Sequence, residues 1–126
     1  MTLKFFKCSQ CGSVAVKVYD AETPESPCAE TQAELVPNTV DAAVEKHVPQ
    51  VTVDGSKVEA VVGSVEHPMA DDHFITMIVL ETKKGYQVAS LNPGDAPRAV
   101  FAVAEGDEPV AVYEYCNLHG LWKAEI

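Results

Sequence analysis

Nineteen acidic against nine basic side chains give this 126-residue chain a formal charge of −10. That is a poor match for nucleic acid, whose affinity comes largely from cationic contacts to phosphate, and for an anionic membrane surface. No apolar run approaches the ~20 residues of a membrane span, and Met1 to Phe6 is too short for the apolar part of a signal peptide. The cytoplasm is therefore the expected compartment. In that setting Cys8, Cys11, Cys28 and Cys116 read as metal or redox chemistry before structural disulfides.

The length suits one compact domain with a small appendage. Residues 1–36 hold three of the four cysteines and form the candidate appendage. Short apolar runs at Leu3–Phe6 and Val14–Tyr19 predict strands on either side of a Cys-x-x-Cys turn. Ala21–Glu30, rich in Glu, Pro and Ser, predicts a loop. Val40–Glu45 is the one stretch that could carry a helical turn. Beyond it the pattern is β. Val51, Val53, Val58, Ala60 and Val62 alternate around Asp54-Gly55, a hairpin signal. Lys83-Lys84-Gly85 joins Phe74–Glu81 to Tyr86–Leu91 in a second hairpin. Asn92 to Pro97 is a rigid loop. Arg98–Val103, Val110–Tyr115 and Leu121–Ala124 complete the expected strands. Short strands with turn signals at regular spacing predict an all-β sandwich or barrel over residues 37–126.

The four histidines, His47, His67, His73 and His119, each sit beside a turn signal or at a strand end. His47 precedes Val48-Pro49, His67 precedes Pro68, and His73 follows Asp71-Asp72. His119 lies in Cys116-Asn117-Leu118-His119-Gly120. Ligands at strand ends on a rigid scaffold are what a metal site needs. Imidazole and thiolate together suit iron, copper or zinc rather than magnesium or calcium. A single loop histidine is more often a solvated or hydrogen-bonded residue, and Cys-x-x-His alone could be half of a zinc site. Four histidines and one cysteine exceed a tetrahedral zinc set, and iron accepts the higher number.

Glu45-Lys46-His47-Val48-Pro49, Gly63-Ser64-Val65-Glu66-His67-Pro68-Met69 with His73 beyond it, Pro93-Gly94-Asp95-Ala96-Pro97, and Cys116-Asn117-Leu118-His119-Gly120-Leu121-Trp122 stand in this order. Together they resemble the superoxide reductase family, which includes desulfoferrodoxin and neelaredoxin. The resemblance implies an immunoglobulin-like β-sandwich of about seven strands with a small N-terminal β module. It implies one mononuclear iron held by four equatorial imidazoles, from His47, His67, His73 and His119, with the Cys116 thiolate axial and the sixth position open. The implied activity is one-electron reduction of superoxide to hydrogen peroxide without dioxygen. Lys46 would steer the superoxide anion and organise a proton-delivering water, and Glu45 would ligate the oxidised iron after product leaves. An external donor such as rubredoxin, and a homodimer, are implied as well.

One departure concerns the first module. Family members with a second iron hold it through Cys-x-x-Cys followed by Cys-Cys. Cys8 and Cys11 match the first pair, but the second falls on Pro27 and Cys28. Glu25, Ser26 and Glu30 are poor substitutes for thiolate, so no complete rubredoxin-type centre is expected. Left free, the three thiols could pair among themselves, Cys8 with Cys11 or either with Cys28; a partly filled zinc site with water is the alternative. Two further function classes stand beside the enzyme. The iron could serve non-catalytic electron transfer or redox sensing, and Cys116, His119 and two other histidines could hold structural zinc.

Overall fold

A computed structural model describes residues 3–21 and 30–126. Most of the expected loop at Ala21–Glu30, with Glu25, Ser26, Pro27 and Cys28, lies outside the described residues. The chain divides into two compact units, Met1–Val36 and Pro37–Ile126. It is all-β, with three antiparallel sheets and a single short helix among the described residues.

In the first unit β1 (Phe5–Cys8) lies between β2 (Val14–Val16) and β3 (Gln32–Leu35). The β1–β2 connection carries the Cys-x-x-Cys turn. β3 has no counterpart among the sequence expectations. Gln-Ala-Glu-Leu lacks the β-branched and aromatic residues that mark strands. It is held by register along the other side of β1, from Phe5 opposite Leu35 to Cys8 opposite Gln32.

The second unit is a seven-stranded sandwich. β4 (Pro49–Asp54), β5 (Lys57–Val62) and β8 (Arg98–Ala102) make one sheet in the order β4-β5-β8. β6 (Ile75–Thr82), β7 (Tyr86–Ser90), β9 (Pro109–Cys116) and β10 (Gly120–Glu125) make the other, in the order β10-β9-β6-β7. The period-two pattern places the core. Val58, Ala60 and Val62 of β5 and Ala99 and Phe101 of β8 point inward, and meet Ile75, Ile78 and Leu80 of β6 and Val112 and Cys116 of β9. Burying a side chain of this size is worth about 1.5–3 kcal/mol.

The helical turn lies later than Val40–Glu45 predicts. α1 spans Val44–His47. Pro49 explains where it stops: the residue before a proline is driven out of the helical region, and Val48 is extended at φ −70 and ψ 122, its N–H still donating to the Val44 carbonyl. The first hairpin likewise closes on Gly55-Ser56, because Asp54 pairs with Lys57.

Within each sheet the chemically interesting residues gather at one end. His47 precedes β4 and His67 follows β5, whose ends pair as Pro49 with Val62. His73 precedes β6, Cys116 closes β9 and His119 precedes β10, and Cys116 pairs with both Ile75 and Gly120.

Candidate metal centre

His47 is the last residue of α1 and is buried. Its Nδ1–H donates to the Ala43 carbonyl at 2.7 Å, which leaves Nε2 with its lone pair facing inward. The Trp122 indole stacks on the ring, with centroids 4.9 Å apart and planes at 24°. The turn before His47 is pinned from outside. The Glu45 carbonyl accepts from the Val65 N–H at 2.9 Å and from the Ser64 hydroxyl at 3.2 Å. Gly63 allows that approach, since a Cβ there would stand 2.7 Å from the same carbonyl oxygen.

His67 closes a turn by donating its N–H to the Val62 carbonyl at 2.9 Å. Its Nδ1–H donates to the Pro68 carbonyl at 2.7 Å, again freeing Nε2. His73 is set by a tight pair of bonds with Ala70. Asn117 clamps the same segment, its side chain accepting from the Phe74 N–H at 2.9 Å and donating to the Asp72 carbonyl at 3.0 Å. Gly120, at φ +79, turns the chain from β9 into β10 so that Cys116 and His119 face the same space. The Trp122 Nε1–H donates to the His119 carbonyl at 3.0 Å, so one indole orients two of the histidines.

The structure brings His47, His67, His73, Cys116 and His119 together, with one donor atom from each and all of these within 4.8 Å of one another. The four rings meet edge to face in a closed cycle. His47 and His67 cross at 72°, His67 and His73 at 81°, His73 and His119 at 79°, and His119 and His47 at 89°. The Cys116 sulfur lies 3.9 Å from the His119 Nδ1.

This donor set fits a single metal ion, and without one it is poorly satisfied. His47 Nε2 and His67 Nε2 are 3.2 Å apart, and His119 Nδ1 is 3.2 Å from the same His47 nitrogen. The Nδ1 protons of His47 and His67 are committed to carbonyls, so their Nε2 lone pairs point at each other. A shared cation converts that conflict into ligation. The Nε2 of His73 is buried with no hydrogen-bond partner, as a nitrogen awaiting a metal would be.

The electrostatics agree. Burial, opposed by the Pro68 carbonyl, holds His67 down to about 4. Burial, opposed by the Ala43 carbonyl, likewise lowers His47. Both are therefore neutral imidazoles at neutral pH. Burial pushes the Cys116 thiol up against the pull of the Leu118 and His119 backbone N–H groups. A bound cation would be needed to displace its proton and make it a thiolate.

Glu45 and Lys46 lie on α1 beside His47 with exposed side chains, and neither enters an ion pair among the described residues. Of the module cysteines, Cys8 is half-buried and Cys11 exposed; Cys28 lies outside the described residues.

Three residues near the site carry no role in the sequence reading. Trp122 and Asn117 stand inside a motif that names its ligands and not their supports. Glu114 is fully buried beneath Cys116, and neither of its carboxylate oxygens meets a hydrogen-bond donor at full geometry. Burial outweighs the pull of the Cys116 N–H and pushes it up to about 9.

Among the described residues no helix is long and apolar enough to cross a membrane. Residues 39–125 match the Desulfoferrodoxin family model. A desulfoferrodoxin of Clostridium acetobutylicum is 50% identical over 99 residues, covering 78% of this chain and 76% of its own. A desulfoferrodoxin of Syntrophotalea carbinolica is 41% identical over 124 residues, covering 98% and 96%. The crystal structure of the superoxide reductase from Treponema pallidum superposes with a TM-score of 0.80 at 37% identity, over 99% of this chain and 100% of that one. With the site's five donors inside the matched span, the chain belongs to the desulfoferrodoxin family.

Proposed function

We propose that the chain is a superoxide reductase: one electron and two protons convert superoxide to hydrogen peroxide, with no dioxygen formed. The observation that carries this reading is the cycle of four imidazoles closed over a buried cysteine, within reach of one ion. The superoxide reductase from Treponema pallidum, alike over nearly its whole length, supports it. Iron is the metal we assign, because an N₄S set exceeds zinc's usual four ligands and mixed imidazole–thiolate donors suit iron. Bound there, iron supplies a one-electron couple and an open coordination position.

The protein's own residues do the rest. The Ala43 and Pro68 carbonyls fix the tautomers of His47 and His67 and keep their Nε2 atoms as donors. Cys116 would hold the iron as a thiolate, whose electron donation would favour the one-electron chemistry the metal supplies. Trp122 covers one face of His47 and keeps water from it. Lys46, exposed on the same turn, supplies the local positive field that an anion needs against a chain of net charge −10. Its ammonium also holds a water that can hand on a proton. Glu45, exposed on α1, would supply a hard carboxylate suited to ferric iron. The returning electron comes from a small external carrier of the rubredoxin kind.

The test is product stoichiometry. Iron-loaded protein, kept reduced, receives a calibrated amount of superoxide while peroxide and dioxygen are followed together. The reading requires one peroxide per superoxide and no dioxygen. One peroxide and one dioxygen for every two superoxides would make it a dismutase. Iron that cycles while superoxide decays at its spontaneous rate would make it an electron-transfer or sensing domain. The Lys46→Ala variant should retain iron and lose roughly tenfold or more in rate at low salt.

A further inference from the structure

Cys8 and Cys11 take no part in the five-residue cluster. Their turn is closed twice: the Cys8 N–H donates to the Ser13 carbonyl at 2.9 Å, and the Gly12 N–H donates to the Cys8 carbonyl at 2.9 Å. That closure folds Cys11 back towards Cys8 at the end of β1. Their surroundings differ. Cys8 is half-buried, and Cys11 is exposed. The Cys11 sulfur lies 3.2 Å from the Ser13 hydroxyl.

We propose that Cys8 and Cys11 are a peroxide-sensitive dithiol, in which Cys11 is oxidised first and Cys8 resolves it as an intramolecular disulfide. Exposure gives peroxide access to Cys11, and the Ser13 hydroxyl and N–H are placed to stabilise its anion. The Ser13 hydroxyl, its N–H and the Cys8 thiol together bring Cys11 down to about 7, so a substantial fraction is thiolate at neutral pH.

The chemistry balances with peroxide as the only oxidant. The Cys11 thiolate attacks one peroxide oxygen; the S–O bond forms, the O–O bond breaks, and the hydroxide that leaves takes up the proton that the Cys11 thiol had released, giving water. Cys8 then attacks the Cys11 sulfur; the S–S bond forms, the S–O bond breaks, and the departing oxygen leaves as water with the Cys8 proton. Two thiols are oxidised and one peroxide is reduced to two waters. Exposed disulfides are among the more readily reduced ones, and Cys11 is exposed, which suits a reversible mark. The superoxide reductase reading enters only as the source of the peroxide.

The test treats the full-length reduced protein with stoichiometric hydrogen peroxide, so that iron turnover is bypassed. Intact mass and peptide mapping should show a loss of about 2 Da and a Cys8–Cys11 linkage, reversed by dithiothreitol. Cys28→Ser should leave that linkage unchanged. Cys8→Ser should stop the reaction at a Cys11 sulfenic acid that dimedone traps, and Cys11→Ser should slow thiol loss roughly tenfold. A linkage through Cys28, oxidation of Cys8 ahead of Cys11, or direct passage of Cys11 to sulfinic acid would each overturn the proposal. A parallel sample receives superoxide and reductant instead. If the disulfide forms with added peroxide and not with superoxide, the thiol proposal stands and the superoxide reading fails.

Discussion

His67 and Glu114 are both buried, and their protonation opposes one another. His67 is held down to about 4 against an ordinary 6.5, so the unfolded chain binds its proton more readily. Stability of the metal-free protein should fall as pH drops from 6.5 towards 4, with the lowered His47 adding to the loss. Glu114 is pushed up to about 9 from 4.5, so the folded chain binds its proton more readily. It removes stability as pH rises through that range. Urea unfolding of the metal-free protein should therefore be most resistant near pH 6.5 and weaken by pH 8.5. In Glu114→Gln the alkaline decline disappears, and the acid one, no longer offset by Glu114, steepens. An identical decline in the variant would show that Glu114 is not its source. The five candidate ligands were legible in the sequence through the motifs around them, which resemble a known family; turn residues beside the four histidines marked them only as candidates. Glu114 was not. Between Tyr113 and Tyr115, in a strand of alternating character, a glutamate reads as the outward position. β9 is an interior strand flanked by β10 and β6, and both of its faces are covered along that stretch.

At the scale of elements, α1 and the segment after β5 are one device. Gly63 lets the 62–65 backbone press against the Glu45–Val48 turn, where a Cβ would stand 2.7 Å from the Glu45 oxygen, 3.0 Å from the Lys46 carbonyl carbon and 3.1 Å from the Val48 oxygen. All three neighbours are backbone, so none can rotate away. Gly63→Ala should cost about 1–3 kcal/mol by overpacking. It should also weaken metal binding roughly tenfold or more by displacing His47, as competition with a chelator would measure. The Asn117 clamp predicts a milder result. Asn117→Ala should cost about 1–2 kcal/mol in urea unfolding by leaving the Phe74 N–H and Asp72 carbonyl unpaired, and should loosen His73. The seven strands of the sandwich were legible because each alternates cleanly or sits between clear turn signals. β3 and the position of α1 were not. β3 owes its existence to a neighbour's unpaired edge and not to its own composition, and α1 is placed by what Pro49 forbids.

For the whole molecule, the five candidate ligands come from both sheets of the sandwich. A cation that binds only the folded form stabilises it by mass action, by about 2.7 kcal/mol at a hundredfold excess over its Kd. Removing the metal by chelation should lower the unfolding temperature of the 37–126 unit by roughly 10 °C or more, as calorimetry would show. An unchanged temperature would mean that the cluster holds no ion tightly.

The same span has a mechanical reading. His47 and His119, whose ring nitrogens approach to 3.2 Å, are 72 residues apart in the chain. Metal bonds to both would short-circuit everything between them. Pulled from its two ends, the loaded sandwich would yield only the segments outside that loop at first. It would withhold roughly 250 Å of contour length until the coordination bonds gave way. The stripped protein, with no such shunt, would pay out its full length in a single event, so the size of the first rupture would count loaded molecules one by one.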